Sequence, residues 1–329
     1  MSPQVIAAII AAGVGVLTVA ATVAVQISGR HATSRETQLA LKGQHEQLNT
    51  TLTAQSEQLD RTLTAQSEQL DRTLAEQRTR TLNERFATAA GQLGSDKPPA
   101  VRLAGVYAMA GLADDWPESR QTCVDVLCAY LRLPYDPDPG KDADPAERTA
   151  YRADREVRHT LIRVIGAHLR SGAAVSWQGL TFDFTGAVFD GGDFTEARFS
   201  GGRVSFYGAK FSGGVVRFGG AVFSGGRVGF VQAVFSGGRV DFARAGFSGG
   251  QVDFRRAEFS GGRVGFVQAG FSGGQVDFRD AEFTGSQIDF RQVRSWVNPP
   301  TFSWDGEPPA GVLLPAEGMP PPRTSASGS

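Results

Sequence analysis

Apolar and polar residues follow one another in a fixed order along the C-terminal half of the chain, and the repeated apolar residue is phenylalanine. Of the 22 phenylalanines in the 329-residue chain, 20 lie between Phe182 and Phe290. From Phe199 to the unit that begins at Phe283, a 12-residue unit recurs as F-S-G-G-x-V-x-F-x-x-A-x, with F-T-G-S in the last of eight copies. Eight copies exclude coincidence, so the chain is a repeat protein.

Each unit contains two short apolar pairs that are typical of strands. Val204 with Phe206, and Ala209 with Phe211, are separated by one residue, so in a strand both members of a pair point to the same side. A glycine pair follows, and glycine adopts positive φ without the penalty of a Cβ atom, as a corner requires. The pattern predicts alternating strands and corners, which is the arrangement of a solenoid.

A unit this short cannot bury its own apolar face, so each copy must stack on the next. Two phenyl rings would crowd the interior of a 12-residue loop, whereas two units together make a four-sided 24-residue coil with one Phe on each side. We therefore expect each Phe to stack on the Phe two units later. Residues 179–294 would form about five coils, a core of about 24 Å at a strand spacing of about 4.8 Å.

The first units carry a resemblance to a known family. The phenylalanines at 184, 189, 194 and 199 follow a five-residue spacing, and Ala187 and Ala197 stand two positions before a Phe. In this pattern the chain resembles the pentapeptide-repeat family, and the resemblance implies a right-handed, four-sided β-helix. The later seven-residue gaps depart from the family and put its usual 20-residue coil in doubt, while the stacking argument still holds.

A second resemblance precedes the repeats. Residues 83–86, 92–97, 101–112 and 124–131 resemble the helical region that precedes the repeats in many actinobacterial membrane-anchored pentapeptide-repeat proteins. This resemblance supports an architecture and implies no catalytic activity.

The N-terminal segment predicts a membrane anchor. Residues 5–25 contain no charge, and 21 helical residues at 1.5 Å each can cross a hydrocarbon core of about 30 Å. A cleaved secretory signal is the alternative, but residues 1–4 lack Lys and Arg and the apolar run is longer than usual for a signal. Arg30, Arg35 and Lys42 follow the span, which favours a single-pass cell-membrane protein whose C-terminal bulk is cytoplasmic.

A polar, Gln-rich helix follows, from about residue 33 to residue 90. Near-identical 11-residue copies begin at Thr51 and Thr62, and leucines fall at 41, 48, 52, 59, 63, 70 and 74. This spacing keeps one narrow apolar stripe and predicts a parallel coiled-coil stalk that could form a homo-oligomer. Because Gln and Ser occupy intermediate positions of the stripe, a solvated single helix is the alternative.

Three helices, over residues 100–113, 120–133 and 154–169, can pack as a small bundle, with a Pro/Asp-rich loop between the last two. Cys123 and Cys128 project about 140° apart on a helix and cannot readily pair, so we expect two buried free thiols, which suits a reducing compartment. We expect Trp177 to cover the first coil of the solenoid, and Trp296 with Trp304 to cap the last coil, because open ends would present unpaired strand edges.

The sequence thus predicts a mixed, segmental fold. A transmembrane anchor (1–29) leads to a helical stalk or coiled coil (30–92), a small all-α module (93–173), a pentapeptide-repeat-like β-solenoid with end caps (174–305) and a disordered Pro-rich tail (306–329).

We find no candidate catalytic, cofactor-binding or metal-binding residues. His31, His45, His159 and His168 lie outside the solenoid and away from metal-ligand spacing, so His159 and His168 are interpreted as helix-surface residues. The glycine pairs recur once in every repeat unit, so they mark corners and not phosphate-binding loops. The sequence predicts no enzyme and no cofactor.

The charge of the solenoid bears on its partners. Residues 181–294 carry 13 Lys plus Arg and 11 Asp plus Glu, a net charge of about +2, which argues against a nucleic-acid partner and against a strongly acidic DNA mimic. A 24-residue coil would stack outward side chains in two rows, either solvated or able to bind a flat or anionic partner: Arg203, Arg227, Gln251 and Gln275, and Val215, Arg239, Arg263 and Gln287.

The prediction from sequence is a non-enzymatic, membrane-anchored protein-interaction scaffold whose protein partner is unknown. The alternative is a topoisomerase-binding DNA mimic of the pentapeptide-repeat class.

Overall fold

The structure, a computed structural model, describes residues 36–94, 96–136, 138–304, 306–315 and 323–324. They belong to two compact units divided between Gln77 and Arg78. The anchor predicted at residues 5–25 lies outside the described residues. Across the ranges that are described, none of the helices combines the length and the apolar composition that a bilayer crossing requires.

The first unit contains the larger part of helix α1, Glu36–Gln92. From residue 39 to residue 77 every side chain is exposed, including the leucine stripe at 40–58% exposure. Its sequence is rich in Leu, Gln, Glu and Arg, which are strong helix formers. Ion pairs from Glu57 to Arg61 and from Glu68 to Arg72 link successive turns. The helix is confirmed, and its coiled-coil association stays a prediction.

The second unit begins with the last turns of α1, where Leu82 and Ala89 are buried. Helices α2 (Pro99–Asp115), α3 (Arg120–Arg132) and α4 (Pro145–Leu169) follow, with a 3₁₀ turn at Pro117–Ser119. Helix α2 packs on both α3 and α4, so the predicted helical module is present.

Helix α4 begins nine residues before the predicted start at residue 154. Pro145 occupies the first turn, where a missing N–H costs nothing, and the carboxylate of Asp144 accepts a hydrogen bond from Ala146 N at 2.7 Å. Pro145, inside the predicted Pro/Asp-rich loop, therefore starts a helix. Cys123 and Cys128 are buried free thiols, as predicted, and burial raises their pKa values to about 11 and about 12.

The C-terminal part is a solenoid of four parallel sheets, which we name A to D. Sheet A contains Phe182–Asp183, Arg203–Ser205, Arg227–Gly229, Gln251–Asp253, Gln275–Asp277, Thr301–Phe302 and Arg323–Thr324. Sheet B contains Val188–Phe189, Lys210–Phe211, Val234–Phe235, Glu258–Phe259 and Glu282–Phe283. Sheet C contains Gly192–Asp193, Val215–Arg217, Arg239–Asp241, Arg263–Gly265, Gln287–Asp289 and Val312–Leu313. Sheet D contains Arg198–Phe199, Val222–Phe223, Gly246–Phe247, Gly270–Phe271 and Ser295–Trp296.

The register of these sheets confirms the 24-residue coil and gives about five turns. Arg203 pairs with Arg227, and Arg239 pairs with Arg263. The first step of sheet A is shorter, from Phe182 to Val204, because the early corners follow the five-residue spacing. The coil therefore lengthens by two residues where the five-residue spacing of the phenylalanines gives way to the 12-residue unit.

Phenylalanine rings fill the solenoid in four columns, as predicted. Phe206 stacks on Phe230 with ring centroids 4.6 Å apart, and Phe218 stacks on Phe242 at 4.8 Å. Two of the columns also meet inside the coil, where Phe206 lies edge-on to Phe218 at 6.1 Å. Offset-stacked and edge-to-face pairs are the favoured aromatic geometries, so the columns hold the coils together both along and across the axis.

Glycine meets two different demands at the corners. A Cβ atom on Gly237, the first of its pair, would lie 2.5 Å from the carbonyl oxygen of Ser212 in the preceding coil, so only glycine allows this approach. The second of the pair, Gly238, has φ of 68°. The second corner of each unit lies in the F-x-x-A segment. There the chain tolerates side chains at positive φ, as at Gln232 and Arg244.

The helical module covers the first coil of the solenoid. A Cβ atom on Gly166 of α4 would lie 2.5 Å from Asp193 O, and one on Gly192 would lie 3.1 Å from Ile162. Trp177 is also buried, and its ring stacks on the His168 ring of α4 with centroids 3.9 Å apart; its predicted cover of the first coil stays a prediction.

At the far end, the Trp296 ring packs edge-on to the Phe271 ring with centroids 5.2 Å apart. The Trp304 ring lies against the Phe302 ring with centroids 4.0 Å apart, so both predicted caps are confirmed. The solenoid also continues beyond the predicted boundary at residue 305. Val312–Leu313 adds a strand to sheet C, and Val312 is buried. The disordered tail predicted for 306–329 is therefore wrong at this strand, because a short apolar run inside Pro-rich sequence pairs with an otherwise open edge.

Candidate functional site

The densest group of interacting polar side chains lies where α4 and the loop before it meet the first coil. We call this group the junction cluster, and it consists of Tyr135, Tyr151, Arg155, His159 and Asp190. Asp190 follows the sheet B strand Val188–Phe189 and is only 5% exposed. The cluster therefore joins the helical module to the solenoid through one buried carboxylate.

Both oxygens of the Asp190 carboxylate are engaged. Oδ2 accepts hydrogen bonds from the hydroxyls of Tyr135 and Tyr151, each at 2.7 Å, and from Arg155 Nε at 3.1 Å. Oδ1 contacts His159 Nε2 at 3.0 Å. A buried carboxylate is tolerated only when it is paired and hydrogen-bonded in this way.

Arg158 supports the cluster from the adjacent turn of α4. Its guanidinium lies 4.2 Å from the centroid of the Tyr135 ring and donates to Leu131 O at 2.8 Å and to Val188 O at 2.9 Å. One buried arginine thus binds both α3 and the first coil.

The pKa values show what the cluster can do chemically. Burial acts to raise the pKa of Asp190, but the hydrogen bonds from His159, Tyr135 and Tyr151 outweigh it and hold that pKa well below its usual value. Burial and the bond to Asp190 raise the pKa of Tyr151 to about 12 and that of Tyr135 further. Asp190 stays ionised and both tyrosines stay protonated at neutral pH, so the carboxylate is a fixed acceptor that fastens two parts of the fold.

Sequence reasoning missed the junction cluster, although one signal was present. The corner residue after Phe is Ser or Thr in all eight 12-residue copies, whereas the unit at Phe189 reads F-D-G-G. His159 and His168, interpreted as helix-surface residues, do lie on α4, but His159 contacts Asp190 and His168 Nε2 contacts Asp114 at 3.1 Å. Trp177 Nε1 donates to the same Asp114 carboxylate at 2.9 Å, so His168 links α4 to α2, whereas His159 joins α4 to the first coil.

The two predicted outer rows are present on the solenoid. In sheet A, Arg203 and Arg227 are neighbours and lead to Gln251, and in sheet C Arg239 and Arg263 lead to Gln287. These rows lie on opposite sides of each coil, one repeat unit apart in sequence.

A second charged ladder lies two positions further along sheet A. Asp253 and Asp277 are paired in register and buried. Arg255 Nη2 and Arg279 Nη2 each lie 2.7 Å from the aspartate two positions before them, and Arg255 Nε also lies 3.7 Å from Asp277. The arginines neutralise a column of like charges, which is a structural task.

In the described ranges, no group of three or more His, Cys, Asp and Glu side chains is arranged to hold a metal ion. Comparison of the chain with protein-family models, curated proteins and solved structures gives no match.

Proposed function

We propose that this chain is a non-enzymatic, membrane-anchored scaffold that presents a rigid solenoid surface to a protein partner. The observation that carries the proposal is the continuous phenylalanine core, in which rings such as Phe230 and Phe242 are fully buried. Close stacking of identical rings fixes the spacing of every outward side chain, and a preorganised surface binds with a smaller loss of conformational entropy.

The outer rows provide the chemistry for a protein partner. Positive and negative residues are interspersed around the solenoid, as where Arg239 lies 3.1 Å from Asp241, and the rows end in glutamines. Mixed charge with amide groups suits a polar protein surface better than a polyanion, which requires dense basic charge. The same charge balance gives no support to the topoisomerase-binding DNA mimic, which needs a strongly negative face.

The remaining architecture is part of the proposal. Residues 5–25 would anchor the chain in the cell membrane as a single span, with the bulk in the cytoplasm, and α1 would form a parallel oligomeric stalk. The solenoid would be a right-handed β-helix of the pentapeptide-repeat type. An S236C variant gives an exposed thiol for an impermeant reagent, and labelling of intact cells would contradict the cytoplasmic location.

The test is cross-linked capture from membranes with the full chain and with paired variants of each row. We expect one protein to be recovered with the full chain and lost with Arg203→Glu/Arg227→Glu or with Arg239→Glu/Arg263→Glu. A matched control is Gln232→Glu, at an exposed corner outside both rows. Recovery that is unaffected by either row variant, or a specific change in topoisomerase supercoiling by the purified protein, would contradict the scaffold proposal.

A further inference from the structure

A polar cleft of about 560 Å³ lies between α4 and the second coil of the solenoid. It exists because the corner from Phe189 to Phe194 is two residues shorter than the corner from Phe211 to Phe218. The longer corner lies directly over the shorter one, with Gly214 against Asp190 O. The change from the five-residue to the seven-residue spacing therefore forms a ledge, and α4 forms the facing wall.

The ledge carries a buried hydroxyl with no partner. Ser212 lines the cleft, and within the described residues its Oγ atom makes no hydrogen bond although it is shielded from solvent. Ser236, at the same corner one coil later, is exposed and needs no protein partner. A buried polar group without a partner is destabilising, and rotation of the short Ser212 side chain toward the cleft would let its Oγ bond to a molecule there and remove that cost.

The next residue adds a second free donor. Gly225 N and Gly237 N donate to the carbonyl oxygens of Phe199 and Phe211 in the preceding coil, each at 3.2 Å. Gly213 N, at the equivalent position of the ledge, has no acceptor among the residues that the structure describes. Ser212 and Gly213 thus bring one hydroxyl and one backbone N–H to the same cleft.

Two arginines of α4 also line this cleft. Arg155 is engaged with Asp190 through Nε at 3.1 Å and Nη2 at 3.3 Å, and Arg152 is exposed and forms no ion pair with a described residue. Asp138 and Glu156 line the cleft as well and limit the negative charge that it can accept. Unpaired donors and an unpaired guanidinium that line the same cleft favour an anion with few charges.

We propose that this cleft binds a small oxyanion, a carboxylate or a singly charged phosphate group, through Ser212 Oγ, Gly213 N and the guanidinium of Arg152. The hydroxyl and the N–H donate to oxygen atoms of the anion, and Arg152 supplies the balancing charge. This site is separate from the outer rows, so a negative result at the cleft would leave the scaffold proposal unchanged, and the reverse also holds.

The test is calorimetric titration of the purified full-length protein with inorganic phosphate near pH 6 and, separately, with acetate. We expect saturable binding of at least one of the two ions, and the ion that binds identifies the class of ligand group. Ser212→Ala and Arg152→Gln should each weaken binding about tenfold, the effect expected for one hydrogen bond to a charged group. Ser236→Ala and Arg256→Gln, at exposed positions outside the cleft, should change affinity less than twofold.

Folding of the variants is checked by thermal unfolding without added anion. Ser212→Ala should unfold at or above the temperature of the parent, since it removes an unpaired buried hydroxyl. Absence of saturable binding of both ions, or equal affinity in all four variants, would overturn the proposed site.

Discussion

Two regions of this protein are built from short, nearly exact sequence repeats, and they use those repeats in opposite ways. In helix α1 an 11-residue unit recurs, and its leucines Leu59 and Leu63 are 57% and 50% exposed. In the solenoid a 12-residue unit recurs, and its phenylalanines Phe230 and Phe242 are fully buried. The period differs by one residue, while the burial of the repeated apolar residue differs completely.

The difference lies in where a repeat finds its partner. Successive solenoid units turn back on themselves, so each Phe meets the next copy of the same Phe within one chain. A helix is straight, and its copies follow one another along the axis without ever facing each other, so their apolar stripe must be covered by a different element or by another chain. An exact repeat thus brings its own copies into contact within one chain only when the unit contains corners.

The largest effect is expected from breaking a phenylalanine column. Phe242→Asp would place an unpaired carboxylate among stacked rings and should lower the free energy of unfolding by about 5 kcal/mol. Denaturant unfolding followed by circular dichroism measures this free energy for the parent and the variant. Gln232→Asp is the matched control, because position 232 is exposed at φ of 56° and Asp280 occupies the equivalent corner naturally. Equal loss in both variants would show that the columns are not the source of stability.

The junction cluster gives the next effect. Asp190→Ala leaves Arg155 and two tyrosine hydroxyls without their acceptor and should cost about 3 kcal/mol at neutral pH. Because the folded pKa of Asp190 lies below its usual value of 3.8, its contribution is present above that value and is lost as the pH falls through the folded pKa. The stability difference between parent and variant should therefore shrink below about pH 4, and a difference that grows on acidification would contradict this assignment.

A smaller effect tests the contact of α4 with the first coil. Gly166→Ala pushes a methyl group against Asp193 O and should destabilise the protein by about 2 kcal/mol. Gly111→Ala is the matched control in helix α2, where the added methyl group meets no atom within 4 Å. That control should stabilise by about 1 kcal/mol through helix propensity. In thermal unfolding we expect Gly166→Ala to lower the unfolding temperature and Gly111→Ala to raise it.

The smallest effect on the free energy of unfolding is expected in the exposed part of helix α1. Leu59→Ser with Leu63→Ser should change the unfolding of the second unit by less than about 0.5 kcal/mol, because both side chains are already exposed. The same pair should abolish self-association in analytical ultracentrifugation if the stripe is an interface. An unchanged mass in solution would favour the solvated single helix.

The solenoid could be derived from sequence because its determinants are local and repeated. The spacing of the phenylalanines sets the 12-residue unit, the volume of two phenyl rings sets the 24-residue coil that stacks Phe206 on Phe230, and every further copy checks the inference. The start of α4 at Pro145 was missed because Pro145 was assigned to the Pro/Asp-rich loop, although proline fits the first turn of a helix. The strand at Val312–Leu313 was missed for a related reason, since composition hides two apolar residues among prolines.

The junction cluster could not be derived, because its members come from distant parts of the chain. Tyr135 and Asp190 are 55 residues apart, and their contact depends on how α4 is placed over the first coil. Only the unusual Asp in the F-D-G-G corner marked the position. The cleft beside it needed the structure as well, since Ser212 differs from the other corner serines only in what covers it.

The coil of this solenoid contains two equivalent halves, and this has a consequence for how such a protein can change length in evolution. Loss of two consecutive units between Phe199 and Phe283 would remove one full turn and leave the terminal cap above the same side of the helical module. Loss of a single unit would preserve every ring stack, yet it would carry the cap half a turn around the axis. Growth by single units therefore alternates the direction in which the far end points, while growth by pairs only lengthens the rod.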